Sequence, residues 1–65
     1  MNGAVQGTQY YDIKVAAARL GLNEPAMRAR CRRAARREGR NIVARLGGGI
    51  VAVKFGTTWR VVFPD

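Results

Sequence analysis

The chain has no histidine and a single cysteine, Cys31. An internal disulfide is thereby excluded, and so is a zinc site of ordinary Cys/His spacing. Acids are also scarce: Asp12, Glu24, Glu38 and Asp65 stand against twelve lysines and arginines. With no histidine, no paired carboxylates and no glycine-rich loop leading into a helix, no catalytic constellation is offered. The chain is therefore read as a non-enzyme without metal or cofactor. No run approaches the ~20 apolar residues of a membrane span. Residues 1–11, MNGAVQGTQYY, lack the basic start and apolar block of a secretory leader. These absences, with one free thiol, point to a cytoplasmic protein.

What is present is positive charge. The net charge is +8 and the isoelectric point near 11.4. So one-sided a balance repels itself when compact and favours a polyanionic partner, nucleic acid ahead of anionic membrane. A length of 65 residues bounds the chain to one domain. A domain this small buries only roughly 60% of its unfolded surface, so its core must be compact.

Residues 1–9 are polar, with no period, and read as a loose arm ahead of a folded domain over 10–65. Asp12 is a candidate helix cap, and Ile13, Ala16, Ala17 and Leu20 then share one helical face that ends at Gly21. Asn23 is a second cap, Pro25 suits a first turn, and Glu24 complements the helix dipole. A second helix is expected from about Glu24 to Glu38, ending at Gly39. Its buried stripe is Met27, Cys31, Ala34 and Ala35, which makes Cys31 a small core residue rather than a nucleophile. The same apolar side is too small for the helix to insert into a membrane.

The stretch AMRARCRRAARREGR, residues 26–40, carries seven arginines and one acid. Glu24–Arg28 is the only favourable pair at helical spacing, whereas Arg28–Arg32, Arg32–Arg36 and Arg33–Arg37 oppose like charges. Each such pair costs a few tenths of a kcal/mol. A scaffold helix has no reason to accumulate that cost; a phosphate-binding surface recovers it on binding.

After Gly39 the apolar period changes to two. NIVARL (41–46), IVAVKF (50–55) and WRVVF (59–63) are β-branched and aromatic. A two-residue turn at Gly48-Gly49 with Gly47 facing Ile50 would place Leu46 opposite Val51, Ala44 opposite Val53 and Ile42 opposite Phe55 on one inner face. A shift by one would set Lys54 beside Ile42 and Arg45 beside Val51, so the first register is expected. Trp59, Val61 and Phe63 alternate inward.

DIKVAAARLGLNEPAMRARCRRA (12–34) resembles the helix-turn-helix of phage excisionase and MerR-like winged-helix proteins, and IVAVKFGTTWRV (50–61) resembles their wing. Together these cover about 35 of the 65 residues. GRNIVARLGGG is interposed, long enough for an extra strand, and Thr57 and Thr58 stand where the family often has basic residues. The resemblance implies an α+β fold, a winged helix-turn-helix: two helices followed by a three-stranded antiparallel β-meander as the wing. It also implies duplex DNA as the ligand, in a transcriptional regulator or an excisionase-like factor working with an integrase.

With the second helix in the major groove, Ala26, Ala29, Arg30 and Arg33 are the base-facing candidates. Arg28, Arg32, Arg36, Arg37, Arg40, Arg45, Lys54 and Arg60 are the phosphate candidates. So small a domain reads few base pairs, so a homodimer or a cooperative array on DNA is expected. Two other functions compete. One is a protein-interaction adaptor that self-assembles through an exposed edge at 41–46, aided by Val43, Ala52 and Val62 on the outer face. The other is RNA binding, with Tyr10, Tyr11, Phe55 and Trp59 stacking bases; core packing is the competing role of Phe55 and Trp59, and cover for the helix pair that of the tyrosines.

Overall fold

Residues 9–64 are described in a computed structural model of the chain. The arm expected over 1–9 falls, apart from Gln9, outside them. In chain order the elements are β1 (Tyr11–Asp12), α1 (Ile13–Arg19), α2 (Glu24–Ala34), β2 (Ala35–Glu38), β3 (Asn41–Gly47), β4 (Ile50–Phe55) and β5 (Thr58–Val62). Among the described residues the strands form one antiparallel sheet in the order β1-β5-β4-β3-β2. The chain therefore does not form two helices followed by a three-stranded wing. β1 and β2 flank the meander and extend it to five strands, with both helices packed on one face.

The helices start where their caps place them. The Val15 N–H donates to Asp12 Oδ1 at 2.9 Å, and the Ala26 N–H donates to Asn23 Oδ1 at 2.8 Å. Between the helices, the Leu20 N–H donates to the Ala16 and Ala17 carbonyls and the Leu22 N–H to Ala17. Gly21, at φ +71°, turns the chain there.

The second helix ends at Ala34, four residues before its expected end at Glu38. Ala35 is already extended, at φ −63° and ψ 132°. Ala35, Arg36, Arg37 and Glu38 pair with Ala44, Val43, Ile42 and Asn41, and Gly39-Arg40 makes the turn. Two physical gains favour the strand. It satisfies the N–H and C=O groups along one side of β3. It also dissolves the Arg32–Arg36 and Arg33–Arg37 helical contacts, because successive strand residues point to opposite faces. Segment 41–46 is consequently no free edge: β3 is paired by β2 on one side and β4 on the other.

The Gly48-Gly49 turn forms, both residues at positive φ and Gly47 paired with Ile50. Gly47 is also at positive φ, +93°, and Leu46 bulges out of the ladder. Beyond the bulge Arg45 pairs with Val51, Ala44 with Ala52, Val43 with Val53 and Ile42 with Lys54. This is the register the hydrophobic pattern disfavours, so the expected pairings of Leu46 with Val51, Ala44 with Val53 and Ile42 with Phe55 are corrected. The reason is size. The helices bring Ala16, Ala17, Met27 and Cys31 onto the sheet, and the sheet meets them with Ala44 and Ala52, both fully buried. Val51, Val53 and Phe55 are too bulky for so close an approach, and the slip turns them to the other face.

The core comprises Ile13, Ala16, Ala17, Met27, Cys31, Ala44, Ala52, Trp59 and Val61. Leu20, Leu22, Ala34, Ala35, Ile42, Leu46, Ile50 and Phe63 close over it. Trp59 and Val61 face inward as expected; Phe55 does not, and is 49% exposed. Tyr11 pairs with Val61 at the sheet's far edge and meets Phe63 edge-on, with the Arg19 guanidinium lying over both rings. No described helix is long and apolar enough to cross a membrane.

Candidate nucleic-acid interface

The helix α2 forms a basic ridge on the outside of the molecule. Met27 and Cys31 are wholly buried beneath it and fix its orientation. At 100° per residue, Ala29 then lies opposite the core, flanked by Arg32 and Arg33, with Arg28 and Arg30 lower on the two slopes. All four arginines are exposed, while Ala26 and Ala29 are partly covered.

A cleft opens on each side of this ridge. One, of about 280 Å³, is lined by Arg30, Arg33, Ala34, Arg45 and Leu46. The other, of about 380 Å³, includes Lys14, Arg28, Thr57, Thr58 and Arg60, with Asp12, Glu24 and the Trp59 edge. The ridge and its clefts thus gather Arg28, Arg30, Arg32 and Arg33 from α2, Arg45 from β3 and Arg60 from β5. Lys14 joins them from the first helical turn of α1, although nothing in the sequence around it marks that helix as part of a site.

The remaining candidates separate. Arg36 and Arg37 belong to β2 rather than to the helix, and the alternation of the strand sends them to opposite faces of the sheet. Arg40 lies in the β2–β3 turn. Lys54 stands 5.9 Å from the centre of the Trp59 ring on the helix side. Thr57 and Thr58 bring hydroxyls, not charge, to the second cleft.

Carboxylates engage few of these cations. Glu24 Oε2 accepts from Arg28 Nη2 at 2.7 Å. Glu38 takes Arg45 in a two-pronged contact, Nε at 3.0 Å and Nη2 at 2.7 Å. That hydrogen bond holds the Glu38 carboxyl below its usual range and raises Arg45. Among the described residues no other ion pair forms. Arg30, Arg32 and Arg33 therefore stand on the ridge with no acidic partner there. Cys31 lies below them; burial pushes its thiol pKa up, against the opposing pull of Arg28 and Arg30. Its wholly buried position suits a packing residue.

Chemically the surface can hold an anion rich in oxygen acceptors along its length. It brings no paired acid and base together, and among the described residues no group of three or more His, Cys, Asp or Glu side chains could hold a metal ion. Comparison with protein-family models, curated proteins and solved structures returned no match.

Proposed function

We propose that this protein binds double-stranded DNA through the ridge of α2. The observation that carries the reading is the ridge's charge: three arginines on the crest and slopes with no acidic partner among the described residues, and further cations in a cleft on either side. A helix of 11 residues spans about 16 Å and fits a major groove about 12 Å wide. The strands bordering a groove carry phosphates on both sides, which is where the two cationic clefts fall. Ala29, at the crest, allows close approach. On this reading Arg33 and Arg32 beside it reach base edges, whereas Arg30 and Arg28 lie lower, nearer the backbone, so that Arg30 and Arg32 exchange the base and phosphate roles expected from the sequence.

One such helix reads few base pairs, so recognition of a site would use more than one copy along the duplex. Either role named earlier, transcriptional regulation or assistance to an integrase, would draw on this activity. Self-assembly through segment 41–46 is disfavoured, since both of its sides are already paired.

Binding of a fluorescent duplex, followed by anisotropy, tests the proposal. Arg32→Ala and Arg33→Ala should each weaken binding about 5- to 100-fold. Arg19→Ala is the control, because that guanidinium lies over the Tyr11 and Phe63 rings away from the ridge. Equal losses in all three variants would mean that bulk charge, not α2, governs binding.

A further inference from the structure

The register slip at Leu46 leaves an apolar surface on the side of the sheet away from the helices. Val51, Val53 and Phe55 of β4 lie there, beside Val62 of β5 and over Val43 of β3, which is itself buried. Phe55 and Tyr10 meet edge-to-face, ring centres 5.6 Å apart, and each is 49% exposed. Two half-exposed rings in a domain with so little core to spare are not explained by folding, nor do they serve the α2 ridge.

Arginines outnumber acids on this face. By strand alternation Arg36, Arg45 and Arg60 share it with the valines, Arg45 and Arg60 at its margins also bordering the clefts beside Arg30 and Arg28. Its acids are both engaged: Glu38 holds Arg45, and Asp12 caps α1. A second copy of a chain bearing +8 would set these arginines against their own kind. An anionic partner with flat apolar groups matches both features of the face. Duplex DNA does not: five strands about 4.8 Å apart make a sheet roughly 20 Å across, too broad for a groove about 12 Å wide. Unpaired bases can lie flat on such a surface, stacking on aromatic rings while arginines take the phosphates.

We propose that the open face of the sheet binds single-stranded nucleic acid, with Phe55 and Tyr10 as the stacking platform and Arg36 and Arg60 as backbone contacts. The inference is independent of the α2 reading and adds to it. The two surfaces lie on opposite sides of the sheet and meet at Arg60, which also borders the cleft beside Arg28, so one molecule can hold a duplex and an adjoining unpaired strand together.

The test uses the full chain, a labelled oligothymidylate of roughly 12 nucleotides and a labelled duplex. Phe55→Ala and Tyr10→Ala should each lower oligothymidylate affinity about tenfold and leave duplex affinity within about twofold. Phe55→Tyr, which keeps the ring, should retain binding. Because both rings are half exposed, circular dichroism should report an unchanged fold; if Phe55→Ala does not fold, Tyr10→Ala and Phe55→Tyr carry the comparison. The proposal is overturned if oligothymidylate does not bind, if the ring variants bind it as well as the parent chain, or if duplex binding falls equally. Self-association that disappears in Phe55→Ala would also overturn it, assigning the face to a second copy. Failure of duplex binding alone would sink the α2 reading and leave this one standing.

Discussion

Exchanging residues at two adjacent positions of β4 tests the slipped register. Ala52 is fully buried beneath the helices, whereas Val53 lies on the open face opposite Val43 and Arg60. Ala52→Leu forces three extra carbons between the sheet and the Met27–Cys31 side of α2. Overpacking of this kind costs about 1–3 kcal/mol. For a chain of this length total stability is about 3–10 kcal/mol, so the loss is a large fraction of it. Each kcal/mol lowers the melting temperature by about 4–8 °C in so small a domain, giving a fall of about 4–24 °C. Val53→Thr keeps the shape and suits a half-exposed strand site, and should cost under about 1 kcal/mol. Trp59, the one tryptophan and nearly buried, reports unfolding in urea or on heating by its fluorescence. In the register with Leu46 opposite Val51 the order would invert: Ala52 would face solvent, and a threonine hydroxyl at 53 would be buried at a cost of about 1–3 kcal/mol. A larger loss for Val53→Thr than for Ala52→Leu would refute the packing argument.

Removing a cap should act locally on α2: Asn23→Ala deprives the Ala26 N–H of its acceptor and should cost about 1 kcal/mol, read from the urea midpoint at unchanged slope. The Glu38–Arg45 pair predicts a pH effect. Arg45 depresses the Glu38 pKa in the folded state, so the stabilisation is present above the ordinary glutamate value of 4.5 and fades as pH falls through the depressed folded value. Glu38→Gln should therefore flatten the melting-temperature profile on the acid side of pH 4.5 and leave the shape above it unchanged. An acid limb of equal steepness in parent and variant would contradict this.

The beginnings of the elements were legible in the residues, and their ends and partners were not. Asp12 and Asn23 announce their helices by local hydrogen bonding, which a short window of sequence contains. The buried Met27 and Cys31 follow from helical period, and Trp59 and Val61 from strand alternation. Ala35–Glu38 reads ARRE, good helix formers throughout, yet the segment is a strand because β3 offers it a ladder. That offer is tertiary and leaves no mark within the four residues. The slip in β4 escaped for a different reason. Matching apolar residues across the hairpin counts hydrophobicity and ignores volume, whereas helices placed close to a sheet select alanine over valine and phenylalanine. The two-residue β1 is too short to show any period.

The candidate site divides along the same line. The run from Arg28 to Arg33 was visible as charge without compensation, and it stays together on α2. Arg36, Arg37 and Arg40 left the group when the helix ended early. Lys14 joined it only through the fold. Phe55 and Trp59 looked alike in sequence; the register makes one a surface ring and the other a core residue.

The salt dependence of duplex binding addresses the central claim most directly. With about six phosphates neutralised around the ridge, log K should fall against log salt with a slope of about −5, and removal of Arg28 or of Arg30, the residues nearer the backbone, should each make the slope shallower by about 0.9. A slope near zero, or one that these substitutions leave unchanged, would contradict the account.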